Sequence, residues 1–127
     1  MKVILIRHGA TMGNQEKRYI GITDEALCDA GIEKLLKNVH KDIYPAADKI
    51  YVSPMKRCIQ TAQIIYPGRE AVVVDDLKEC DFGRFEGKNY IELSGDSYYQ
   101  KWIDSNATLP FPEGEDIKAF RLSLIHI

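Results

Sequence analysis

The sequence predicts an α/β domain built on a mostly parallel sheet with helices on both faces. Three observations carry this reading. Val3–Ile6 reads as a short strand buried on both sides, Lys49–Val52 as a second short strand and Ala71–Val74, continuous in β-branched residues, as a third. Amphipathic helical patterns lie between them. The resulting β-α-β-α-β order calls for right-handed crossovers and therefore parallel pairing.

Each element has a local cause. Residues 9–27 contain Gly9, Gly13, Asn14, Gly21 and Asp24, so they read as loop. Asp29 is placed to cap a helix whose apolar stripe is Ile32, Leu35, Leu36, Val39 and Ile43, with Pro45 just beyond. Ser53-Pro54 is a helix start, with Ser as N-cap and Pro at the first helical position; that helix runs from Met55 to about Tyr66 and stops near Pro67-Gly68. Asp75 to Gly87 reads as loop. Tyr90–Leu93 and Tyr98–Ile103 read as short helical pieces, Pro110 and Pro112 break the chain, and a last helix starts near Glu115.

At 127 residues and 45% hydrophobic, the chain suits one domain with a core. Its net charge of -2 and lack of a basic run argue against nucleic acid or an anionic membrane as partner. No run approaches a membrane span. Cys28, Cys58 and Cys80 are scattered and odd in number, which suggests reduced thiols and a cytoplasmic setting rather than a disulfide framework.

In a parallel sheet the ligand sits beyond the carboxyl ends of the strands. The segments following the three strands are Arg7-His8-Gly9, Ser53 to Arg57, and Asp75 to Glu79. Arginine offers a planar fork that grips phosphate in bidentate fashion, and Arg57 also lies near a helix N-terminus. Asn14 can donate to a phosphate oxygen. His8 in neutral form is a nucleophile near neutral pH. A backbone carbonyl holding the proton on Nδ1 would leave Nε2 to attack phosphorus. Glu79 is the matching acid for an alkoxide leaving group. Taken singly, each residue also has an ordinary structural reading: a histidine after a strand, a salt-bridged arginine, a solvated glutamate, an asparagine in a turn. Their joint occurrence at strand ends is what points to phosphoryl chemistry.

These residues stand in recognisable motifs. "LIRHGATMGN" resembles the R-H-G-x-T-x-x-N signature of the histidine phosphatase superfamily, the phosphoglycerate mutase-like fold. "SPMKRCIQTA" is similar to its S-P-x-x-R-x-x-x-T-A element, "LKECDFGRFEG" to its L-x-E-x-x-F-G-x-x-E-G element, and "PEGED" followed by Arg121 to its P-x-G-E-S segment. The resemblance implies a three-layer fold, a phosphohistidine formed on His8, and phosphoryl binding by Arg7, Asn14 and Arg57. It implies Glu79 as general acid and then base, and no metal or other cofactor, because the arginines take a cation's role. Gly21 and Thr23 fall in the loop that borders the substrate, a small phosphate ester. Mutases of this family carry Arg directly after the acid glutamate and Thr before the loop glycine. Cys80 and Ile20 stand there instead, which favours a phosphatase over a mutase, while the intact Arg7, His8, Arg57 and Glu79 argue against a non-catalytic phosphate binder. The D-F-G-x-x-E-G form and the loop "RYIGITDEAL" are similar to the alpha-ribazole phosphatase branch.

The resemblance also implies a second active-site histidine in a later strand ending H-G-G. His126, in "RLSLIHI", lacks the following glycine and stands too soon after Arg121; His40 reads as a solvated helix residue. The expectation is a histidine phosphatase domain over residues 1–121, incomplete at its C-terminus, with 122–127 a non-native tail. "LSLIHI" is what CTG TCT CTT ATA CAC ATC, the mosaic end of a transposase adapter, would encode, which is the ground for that expectation. An incomplete domain should be marginally stable and weak or inactive.

Overall fold

The computed structural model describes residues 1–125. In chain order its elements are α1 (Met12–Gln15), α2 (Asp29–His40), β1 (Tyr51–Val52), α3 (Lys56–Ile65), β2 (Val72–Val73), α4 (Tyr90–Leu93), α5 (Ser97–Asp104) and α6 (Ile117–Ile125). Two 3₁₀ turns, Asp75–Leu77 and Gly83–Phe85, punctuate the stretch read as loop. The residues group into two compact units: Met1–Met12 with Glu25–Asp75, and Gly13–Asp24 with the chain from Asp76 onward.

In the first unit β1 and β2 pair in parallel, Tyr51 opposite Val72 and Val52 opposite Val73. The ladder is carried by Val72 N–H donating to the Ile50 carbonyl and Val74 N–H to that of Val52, both at 2.9 Å. Helix α3 packs on β1 and on α2. Leu27, Leu35 and Ile65 form the buried centre, flanked by Ile32, Ile64 and Tyr66. Gly31 sets how α2 meets the chain after His8. A Cβ there would fall 2.3 Å from the Ala10 carbonyl oxygen, so only glycine lets the helix backbone rest on Ala10.

Several expectations need correction here. Val3–Ile6 is not a buried strand: Val3 is 71% and Leu5 93% exposed, while Ile4 and Ile6 are 38% exposed. The alternation fits extended backbone, but a strand exists only where a neighbour completes its ladder, and the parallel sheet among the described residues has two strands, not three. Asp29 does not cap α2. Cys28 holds the N-cap position, and Asp29 opens the first turn, where its charge suits the helix dipole. Helix α3 begins two residues beyond Pro54, after an extended Met55, and the Ser53 hydroxyl accepts the Met55 amide at 3.4 Å. In the apolar stripe of α2, Leu35 is buried but Leu36 stays exposed, and Ile43 lies past the helix end. His40, at the end of α2, is exposed as expected. His126 and Ile127 lie outside the described residues.

The second unit is organised around rings. Phe85 is fully buried and meets Tyr99 edge-on, with centroids 5.3 Å apart at 90°. Phe82 and Phe111 lie 4.8 Å apart, and Tyr19 meets Trp102 at 6.1 Å and 89°. The Phe85–Tyr99 and Tyr19–Trp102 pairs are edge-to-face, which adds to burial because ring edges and faces carry opposite partial charge. Local sequence fixes the helices around the cluster. Asn89 and Glu92 form a reciprocal capping box at α4. Asp96 accepts from the Tyr98 and Tyr99 amides at the start of α5. The Arg84 guanidinium and these amides hold the Asp96 carboxyl below its ordinary range, the amides contributing most. The last helix starts at Ile117, two residues later than the sequence suggests. Among the described residues no helix is long and apolar enough to cross a membrane.

Candidate functional site

The residues singled out from sequence divide between the units. Arg7, His8 and Arg57 belong to the first; Asn14, Gly21, Thr23 and Glu79 belong to the second.

In the first unit, His8 Nδ1 lies 2.6 Å from the Gly9 carbonyl oxygen. A carbonyl can only accept, so in this bond Nδ1 is the donor and carries a proton. The sequence required such a carbonyl without saying which one. Gly9 is itself tethered. Its amide donates to the Thr61 hydroxyl oxygen at 3.0 Å, and that hydroxyl donates to the Arg57 carbonyl at 2.7 Å. One side chain thus links the histidine segment to the helix that carries the arginine. Gln60, beside it, accepts the Leu27 amide at 2.8 Å, and the Cys28 amide donates to Ala10 at 3.0 Å. These bonds hold both ends of the 11–27 excursion.

Arg57 stands in the first turn of α3 and is only 2% exposed. A desolvated guanidinium and a helix N-terminus both favour an anion. Arg7, by contrast, is exposed.

In the second unit, Asn14 lies on α1 and is half-buried. Glu79 is exposed, and its Oε1 accepts the Cys80 amide at 2.9 Å. Cys80 is 3% exposed within the ring cluster. Burial first, then the charges of Glu115, Glu79 and Asp81, push its thiol up to about 12. It is a neutral core residue and not a reactive thiolate. The loop Gly21–Thr23 is gathered by Glu86. That carboxylate accepts the Gly21 amide at 3.0 and 3.2 Å, the Ile22 amide at 3.0 Å and the Thr23 hydroxyl at 2.6 Å. It also accepts the Phe82 amide at 3.2 Å. A Cβ on Gly21 would fall 2.0 Å from the Cys80 carbonyl oxygen, so glycine is required for the loop to lie against the segment that follows Glu79.

Thr61, Gln60 and Glu86 were not among the residues chosen from sequence. Thr61 had a signal: it stands four residues after Arg57, the spacing at which a helical threonine reaches back to a carbonyl. Glu86 had none beyond its place in the E-G pair. Among the described residues no group of three His, Cys, Asp or Glu could hold a metal ion.

Comparison with known proteins gives one consistent answer. Residues 3–122 match the model of the histidine phosphatase superfamily (branch 1). The alpha-ribazole phosphatase structure from Shigella flexneri superposes with a TM-score of 0.79 at 26% identity, over 95% of this chain and 62% of that one. A phosphoserine phosphatase structure from Entamoeba histolytica, in complex with 3-phosphoglyceric acid, gives 0.69 at 36% identity, over 82% and 52%. A 2,3-bisphosphoglycerate-dependent phosphoglycerate mutase of Nitrosococcus oceani is 33% identical over 103 residues, 72% of this chain and 41% of its own length. This chain spans between 50% and 61% of the first curated relatives that it matches. These likenesses agree with the α/β, parallel-sheet class read from sequence.

Proposed function

This chain belongs to the histidine phosphatase superfamily, and we propose that it serves a phosphomonoester hydrolase acting on a small phosphorylated metabolite through a phosphohistidine on His8. The observation that carries the proposal is the bond between His8 Nδ1 and the Gly9 carbonyl, which holds a proton on Nδ1 so that the neutral imidazole has Nε2 as its nucleophilic atom. Nε2 attacks, the N–P bond forms and the bond from phosphorus to the ester oxygen breaks. Glu79 supplies the proton to the departing alkoxide. Its carboxylate then takes a proton from water, whose oxygen attacks phosphorus, breaks the N–P bond and releases inorganic phosphate. Arg57, Arg7 and Asn14 offset the charge of the phosphoryl oxygens. Free cysteines at positions 28, 58 and 80 support a cytoplasmic setting.

Hydrolysis is favoured over mutase chemistry by Cys80. A mutase needs a cation for its substrate's carboxylate after the acid, and a neutral buried thiol provides none. The mutase relative keeps phosphate transfer between hydroxyls as the second reading. The test is p-nitrophenyl phosphate turnover from about pH 5 to about pH 8, bracketing the ordinary imidazole value. His8→Ala should abolish the weak turnover expected of this chain. Turnover that survives the substitution removes His8 from the chemistry, and an isomerised ester in place of inorganic phosphate selects the mutase.

A further inference from the structure

Gly9 supplies the carbonyl that receives His8 Nδ1, yet glycine has no side chain to pack and wide backbone freedom. Hydrogen bonds must therefore set that carbonyl's direction, and the first unit provides them on both sides. Upstream, the Gly9 amide donates to the Thr61 hydroxyl oxygen at 3.0 Å. Downstream, the Ala10 carbonyl accepts the Cys28 amide at 3.0 Å, and the Gly31 backbone closes on Ala10. The upstream bond is the one made by a side chain. Thr61 is 4% exposed, too buried for water to compete. Its hydroxyl has one proton, which is donated to the Arg57 carbonyl at 2.7 Å. The oxygen therefore meets the Gly9 amide as an acceptor, and the chain of bonds has one direction, from the Gly9 amide through Thr61 to the Arg57 carbonyl.

We propose that Thr61 is a positioning residue for His8: by holding the Gly9 amide it turns the Gly9 carbonyl toward Nδ1 and keeps the proton there. Thr61 acts through the backbone and touches no reacting atom. Its bearing on the chemistry rests on the reading of His8 as the nucleophile, because a neutral ring protonated at Nδ1 attacks through Nε2. His8, Gly9, Ala10, Arg57 and Thr61 all lie in the first unit, so the device is complete within it. Thr61→Val keeps the shape of the side chain and loses the acceptor, whereas Thr61→Ser keeps the oxygen and loses a methyl group. The tautomer of the His8 ring thus follows the oxygen at position 61 and not the volume there.

The test reads the ring directly and uses no substrate. Nitrogen NMR of the isotope-labelled 127-residue chain, at about pH 8 and so above the ordinary imidazole value, distinguishes a protonated Nδ1 from a bare one. His8→Ala assigns the signal. In wild type and in Thr61→Ser, Nδ1 should carry the proton. In Thr61→Val that signal should be lost from most of the population as the proton moves to Nε2. Hydrogen exchange at the Val72 and Val74 amides, which form the ladder of the same unit, checks that each variant folds. Equal ring signals in wild type and Thr61→Val, or a loss in Thr61→Ser as complete as in Thr61→Val, overturns the proposal. A second measurement needs no variant. As urea rises below the unfolding midpoint of wild type, protection of the Gly9 amide and the proton on Nδ1 should be lost together. A Gly9 amide that exchanges freely while Nδ1 keeps its proton overturns the proposal whether or not Thr61→Val folds. A split between Thr61→Ser and Thr61→Val without His8-dependent turnover leaves Thr61 in this role while the phosphatase reading falls; His8-dependent turnover without the split does the reverse.

Discussion

The two units bury their apolar residues by different means. In the second, rings from neighbouring turns and short helices close on Phe85, and the members are drawn from Tyr19 and the stretch 80–120. In the first, three aliphatic residues form the centre, while Val3, Leu5, Tyr51, Val72 and Val73 remain more than half exposed. The difference lies in how each kind of structure recruits partners. Capped turns and short helices find theirs nearby in the chain. A parallel strand must find a neighbour across a long connection, and its apolar sides stay wet until layers cover both faces.

Substitutions can break this comparison. Phe85→Ala should have the largest effect, a loss of about 4 kcal/mol, because a fully buried ring leaves a cavity its neighbours cannot fill. Urea unfolding followed by Trp102 emission measures it. Leu35→Ala in the first unit should cost about 2.5 kcal/mol, since a smaller centre already bordered by exposed groups relaxes more easily. Far-UV circular dichroism reads that loss. Equal costs at the two sites would erase the contrast.

Alkali provides a finer probe. The Cys80 thiol has its ordinary value of 9.0 raised to about 12, and burial and the Tyr99 hydroxyl raise Tyr19 as well. Below the unfolded values both groups are protonated in either state. As pH climbs from about 9 toward 12 the unfolded chain loses protons that the native chain keeps, so stability falls. Urea midpoints over this range should drop, and Cys80→Ala should flatten part of the drop. A slope unchanged by Cys80→Ala would place the alkaline sensitivity elsewhere. Smallest of all, Leu5→Lys should change stability by less than about 0.5 kcal/mol and improve solubility, because Leu5 is 93% exposed. A loss beyond about 1 kcal/mol would mean that Leu5 is covered in solution.

Much of this was legible in the residues. The β1 and β2 positions followed from short apolar and β-branched runs, and α4 and α5 fall where short helical pieces were expected. Their starts lie in capping chemistry local to Asn89 and Asp96. Val3–Ile6 was misread because an apolar run states what a strand prefers and not whether a partner is present. The helix start near Ser53-Pro54 was displaced because Met55 remains extended and takes the N-cap position. At the candidate site, His8, Arg57 and Glu79 stood out by residue type and order. The Gly9 carbonyl and the Thr61 hydroxyl did not, since a backbone acceptor has no letter and a helical threonine is ordinary until its partners are known.

That hydroxyl has a consequence for how this chain can change. Gly9 and Thr61 are 52 positions apart, yet one oxygen both receives the amide beside the histidine and reaches the arginine's carbonyl. Gly9 contributes only its backbone amide, so the dependence runs from position 61: loss of the Thr61 hydroxyl is felt beside the histidine. Serine at 61 keeps both bonds; valine, nearly the same shape, severs both at once. The accessible substitutions there are set by oxygen rather than by volume, although the two groups that oxygen serves are both backbone and have no side chain to lose.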